Sequence, residues 1–211
     1  EAVMVYTDQG LNHLSQTFHR LYQKRLARGY WRDRERPILI NNWEATCFDF
    51  TEEKLLEIAR TAKETGVELF VLDDGWFGER SNEHAGLGDW FANTKRLPQG
   101  ITGLSKKIGE IGMKFGLWFE PEMVNKDSDL YRQHPDWIIA APERRQSHGR
   151  FQYVLDFSRT EVVDYIYSMM ETLLSDADIS YIKWDMNRSI TECFSNTLPA
   201  DRQGEVYHRY I

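Results

Sequence analysis

TEEKLLEIARTAKETGVELFVLDD, residues 51–74, reads as one amphipathic helix followed at once by one buried strand. Thr51 offers an N-cap hydroxyl, and Glu52 and Glu53 sit in the first turn, where the helix dipole favours acids. Leu55, Leu56, Ala59 and Ala62 recur at helical spacing, and Gly66 supplies the stop. The apolar run that follows, VELFVLDD (67–74), closes on two acids. The same kind of run recurs on both sides of it, as PILINNW (37–43), KFGLWFE (114–120) and ISYIKWDM (179–186). Leu104, Ile108 and Ile111 mark a helix before the third run, ending at Gly112. Val162, Val163, Ile166, Met169, Met170, Leu173 and Leu174 mark another before the fourth. Strand and helix alternating in this way imply parallel strands joined by right-handed crossovers. An open doubly wound sheet and a (β/α)8 TIM barrel both have that α/β pattern. No Gly-rich phosphate turn follows the first strand. The polar residues cluster at the carboxyl ends of the strands, before long loops, where barrel enzymes build their sites. The expected fold is therefore a TIM barrel, with strands 1–4 making roughly its first half and the chain stopping in mid-domain.

Outside this rhythm, residues 1–36 carry Leu11, Leu14, Phe18, Leu21 and Tyr22 at helical spacing, then a charged, Pro-ended stretch. They read as a lead-in helix and connector, with the barrel units occupying 37–211. In the long connection after the third strand, WIIA (137–140) and FQYVLDF (151–157) are expected to pair as a small hairpin, and a last helix is expected from about Ala200. The net charge of −7 argues against a nucleic-acid partner, which needs a basic stripe. No apolar run has the length of a membrane span, and no block resembles a signal peptide. Cys47 and Cys193 lack partners at metal-ligand spacing and are expected to be buried or half-buried thiols of a reduced, cytoplasmic protein.

The chemistry follows from strand parity. Side chains alternate between faces, so Lys183, Asp185 and Asn187 share one face, and Ile182, Trp184 and Met186 the other. A Lys, an Asp and an Asn buried together without partners cost several kcal/mol. They read either as a site or as an ion pair plugging the barrel mouth. A nearby Lys keeps a carboxylate ionised, which suits a nucleophile. Asp73 and Asp74 end the second strand; neighbours on a strand cannot face the same way, so one is expected to turn aside. Trp118 and Glu120 share a face, and an inward Trp118 presents a flat wall to a pyranose ring, or serves only as a barrel-layer residue. Trp43, Trp76 and Trp90 either wall the same pocket or simply pack.

NNWEATCFDF (41–50), LDDGWFGER (72–80), GLGDW (86–90), LWFEPEMVN (117–125), HPDW (134–137), YVLDFS (153–158) and YIKWDMNR (181–188) stand in that order. Together they resemble glycoside hydrolase family 36, the large bacterial α-galactosidases, over nearly the whole chain. The resemblance implies a retaining α-galactosidase that removes terminal α-D-galactosyl residues from melibiose- or raffinose-type oligosaccharides by double displacement. It implies Asp185 as the nucleophile and Lys183, Asn187, Asp73, Asp74 and Arg150 as ligands of sugar hydroxyls. Trp118 is implied as a packing wall, and Trp43 as a rim residue on the aglycone side. It implies neither metal nor organic cofactor, and a homo-oligomer, a tetramer in full-length forms. The family's general acid/base is another Asp on a later strand, about 5–5.5 Å from the nucleophile in retaining enzymes. That position is expected beyond residue 211, and a β-sandwich is expected before residue 1. The 211 residues alone are accordingly expected to be inactive. A sister activity (α-N-acetylgalactosaminidase or galactosyl transferase), a non-catalytic carbohydrate-binding module and a metal-dependent hydrolase using Asp73, Asp74 and Asp185 are the competing readings.

Overall fold

A computed structural model describes residues 3–211. They fall into two compact units that divide after Pro37. In the first, the lead-in helix α1 spans Gly10–Leu21 and runs on into a π-helical stretch, Tyr22–Leu26. None of its residues is buried.

The second unit holds the α/β pattern. Strand β1 (Leu39–Asn41) leads into a one-turn helix α2 (Trp43–Thr46), so Trp43 opens a helix rather than ending the strand. Helix α3 (Glu52–Glu64) starts as expected, the Thr51 hydroxyl accepting from the Lys54 N–H. Gly66, at φ +91°, ends the turn that follows. Strand β2 (Leu69–Leu72) is buried throughout. Helix α4 (Gly100–Glu110) and strand β3 (Lys114–Phe119) come next. Then follow β4 (Met123–Asn125), α5 (Asp129–Gln133), β5 (Gln152–Val154), α6 (Thr160–Asp176) and β6 (Tyr181–Trp184). A 3-10 turn at Ala200–Glu205 passes into α7 (Val206–Tyr210).

β1, β2, β3 and β6 form one parallel sheet in that order. This is the wall of a (β/α) barrel: neighbours in space are neighbours in order, each joined through a helix. The register sets Trp118 against Lys183, which brings the ends of β3 and β6 level. The small antiparallel sheet matches expectation only in part. The strand paired with β5 is β4, while 137–140 and 151–157 do meet antiparallel, through an Ile138–Leu155 bridge and bonds from the Ile139 N–H to the Val154 carbonyl and from the Asp156 N–H to the Trp137 carbonyl. Parity could not find β4, because a strand of three residues is too short to show a period.

The long loop after β2 is tied down by buried polar groups. Arg80, 2% exposed, donates to Asp74, the Ala85 carbonyl and the Asn125 side chain. Asn125 in turn accepts from the Leu87 N–H and donates to the carbonyls of Glu83 and Phe151. Trp76, Phe77, Trp90, Trp118 and Phe119 pack as one aromatic cluster, with Phe77 and Trp118 stacked at 6.1 Å. Trp76 and Trp90 are fully buried there, so they pack and do not wall a pocket. Cys193 is half-buried as expected, but Cys47 is exposed, because its left-handed backbone (φ +45°) ends α2 at the surface.

Candidate functional site

The carboxyl ends of β1, β2, β3 and β6 converge on one polar cluster. Asp73, just beyond β2, accepts from Lys183 Nζ at 2.7 Å and from the Asn41 side chain of β1. Its backbone N–H donates to Asn42. Asp74 turns the other way, into a buried pair with Arg80 at 2.8 Å. Burial raises the Asp74 pKa, and Arg80 opposes that rise. The adjacent acids thus split their roles, as alternation on a strand requires.

Asp185 stands just past β6. Its Oδ2 accepts from the Trp118 indole N–H at 3.1 Å and from Asn187 Nδ2 at 2.8 Å; its Oδ1 accepts from the Met186 N–H at 3.0 Å. Burial pushes its pKa up. The bonds from Asn187, Trp118 and Met186, with the charge of Lys183, outweigh that and hold the carboxyl below the ordinary range. Lys183 gives its ion pair to Asp73, so the neutral donors, more than Lys183, keep Asp185 ionised.

Asn187 is itself held. Its side-chain oxygen accepts from Arg150 at 2.7 Å, and its backbone N–H donates to Glu120 at 2.5 Å. Arg150 reaches the cluster from a tight turn, where Arg150 and Phe151 both take positive φ and the Gln152 N–H closes on the Gly149 carbonyl. Two non-glycine residues in that region cost about 1–2 kcal/mol each and persist only where the surroundings impose them.

The structure therefore brings together Asp73, Lys183, Asp185, Asn187, Arg150 and Trp118. Trp118 offers its N–H; its ring is 2% exposed and lies against Phe77, so the expected broad wall is reduced to that edge. Trp43 is half-buried and packs edge-on to Phe48; its tie to the cluster is a backbone bond to Asn41. Sequence reasoning missed three members of the network: Asn41, Glu120 and Gln152. The parity that paired Trp118 with Glu120 was the available signal for Glu120. No group of three or more His, Cys, Asp or Glu among the described residues is arranged to hold a metal ion.

The family model of the melibiases matches residues 1–211. The chain belongs to the melibiase family. The chain is 60% identical to the α-galactosidase AgaA of Geobacillus stearothermophilus over 211 residues, all of this chain and 29% of the relative. It is 51% identical to the α-galactosidase Mel36A of Lactobacillus acidophilus, again over all of this chain and 29% of the relative. The crystal structure of the family 36 enzyme AgaA superposes with a TM-score of 0.94, covering 98% of this chain and 29% of that one. A variant of the same enzyme was solved in complex with raffinose and matches equally, with a TM-score of 0.94. The chain thus spans about 29% of the length of these relatives. The resemblance to family 36 and the partial-barrel fold are borne out.

Proposed function

We propose that this melibiase chain carries the nucleophile half of a retaining α-galactosidase site. The observation that carries this reading is Asp185: a partly exposed carboxylate, held ionised by three hydrogen bonds and placed at the end of a barrel strand. An anionic oxygen so held attacks the anomeric carbon of an α-galactoside and forms a β-galactosyl ester. A second carboxyl group protonates the leaving oxygen and then activates water. Lys183 and Asp73, 2.7 Å apart, present a donor and an acceptor side by side, which suits a vicinal diol, and Arg150 adds a guanidinium beside Asn187. Oligosaccharides of the raffinose type are the proposed substrates, supported by the raffinose complex of the relative. No metal or organic cofactor takes part in the proposed chemistry. Residues 1–36 are proposed as the connector into the barrel, residues 37–211 as its first half, and the full-length protein as a cytoplasmic homo-oligomer.

Asp185→Asn in the full-length gene product tests the reading. Hydrolysis of an aryl α-galactoside is expected to fall at least a thousandfold, while galactose or raffinose still binds by calorimetry. A variant that keeps turnover overturns the assignment, and turnover abolished by a chelator and restored by a divalent metal would favour a metal-dependent hydrolase.

A further inference from the structure

Glu120 is fully buried at the end of β3, yet nothing in the chemistry above uses it. Its Oε1 accepts the Asn187 N–H, and its Oε2 accepts Gln152 Nε2 at 3.0 Å. Gln152 comes from β5, in the connection between β3 and α6, and its own Oε1 is buried without a partner. The carboxylate thus joins three segments: the end of β3, the small sheet and the segment just past β6.

We infer that Glu120 is a positioning residue, which fixes Asn187 so that the Asn187 amide stays aimed at Asp185. Glu120 holds the Asn187 backbone and also interacts with its side chain, Arg150 holds its side-chain oxygen, and Nδ2 donates to Asp185 Oδ2. Since Arg150 rests on an exposed, strained turn, Glu120 is the rigid anchor of the pair. A burial this complete costs a carboxylate dearly unless it is bonded, and the two oxygens have one donor each. Burial raises its pKa, the Asn187 bonds lower it, and the negative charges of Asp185 and Asp74 raise it further. A charge placed there against Asp185 makes no sense as electrostatic help; its use is the hold on Asn187. On the outer side, Glu122 accepts from Trp184 Nε1 at 3.0 Å and from the Tyr210 hydroxyl at 2.6 Å, so the segment around Asp185 is gripped from both sides.

This inference rests on Asp185 being the nucleophile. The test uses the full-length gene product, an aryl α-galactoside and pH profiles of kcat and kcat/KM. Glu120→Ala is expected to lower kcat about ten- to a hundredfold, the worth of a hydrogen bond to a charged group, with a smaller change in KM. The acid limb is expected to move to higher pH, because Asp185 loses a donor. Glu120→Gln is expected to restore most of kcat. Its amide oxygen still accepts from Asn187, and Gln152 turns over to offer its orphaned oxygen. In an Asn187→Ala background, removing Glu120 is expected to cost almost nothing more. Should Glu120→Ala fail to fold, Glu120→Asp, which draws the oxygens back by one methylene, is expected to show the same loss and the same shifted limb. Full kcat with an unmoved limb overturns the inference, as does a loss that multiplies undiminished on top of Asn187→Ala. Asp185→Asn is measured alongside: if it keeps turnover, the nucleophile reading fails; if it is inactive while the Glu120 variants behave as wild type, only the positioning role fails.

Discussion

At the scale of single residues, the site depends on neutral donors. Trp118 gives Asp185 one N–H and takes up the other end of a relay, its carbonyl accepting from the Trp76 indole. A carboxyl held below its ordinary pKa contributes its bonds fully above that ordinary value and loses them as pH falls through the lowered one. Removing a donor therefore moves the acid limb of activity upward. Trp118→Phe keeps an apolar ring without the N–H. In the full-length protein its kcat/KM is expected to fall about ten- to a hundredfold, with an acid limb at higher pH. An unmoved limb would show that the indole bond does not tune Asp185. Arg80 is a different case, since it touches no reacting group. Arg80→Met leaves Asp74 buried and unpaired, and is expected to destabilise by about 3–5 kcal/mol in denaturant unfolding. A much smaller loss would mean that the loop after β2 rearranges to hydrate Asp74.

At the scale of elements, helix α3 and strand β2 were legible because both carry strong local signals: a cap, a period and a glycine stop. β4 was not, because it is short and its partner lies far along the chain. The parallel sheet makes its own demand at Gly116 of β3. A Cβ there would stand 3.0 Å from the Val71 side chain and 3.0 Å from the Tyr181 ring, the register neighbours on either side. Gly116→Ala must push one strand aside. A loss of about 1–3 kcal/mol is expected in thermal or denaturant melts. Unchanged stability would mean that Tyr181 swings away freely, as the exposed side of β6 permits.

At the scale of the whole molecule, the sheet has two edges, β1 and β6. Ile182, Trp184 and Met186 on and beside β6 are exposed, and Ile182 and Trp184 border an apolar cleft of about 440 Å³ with Ile166, Met170 and Leu174 of α6. An open strand beside an apolar cleft is a template for pairing. A polypeptide of residues 1–211 made alone is expected to self-associate in size-exclusion chromatography and to leave an aryl α-galactoside uncleaved. A sharp monomeric peak would count against the first expectation, and turnover abolished by Asp185→Ala against the second. No helix among the described residues is long and apolar enough to cross a membrane.

Local order was written in the chain: the strand–helix rhythm, the Thr51 cap, and the parity that puts Lys183, Asp185 and Asn187 on one face. These depend on neighbours within a few residues, and periodicity reports them. The partners of those residues belong to the tertiary structure. Lys183 pairs with Asp73 across 110 positions, Trp118 reaches Asp185 across 67, and Glu120 reaches Asn187 across 67. Strand register and the packing of the aromatic cluster set those meetings, and neither has a local signal. Which acid faces the site and which is buried against Arg80 was likewise decided only when the loop after β2 folded back over its own strand.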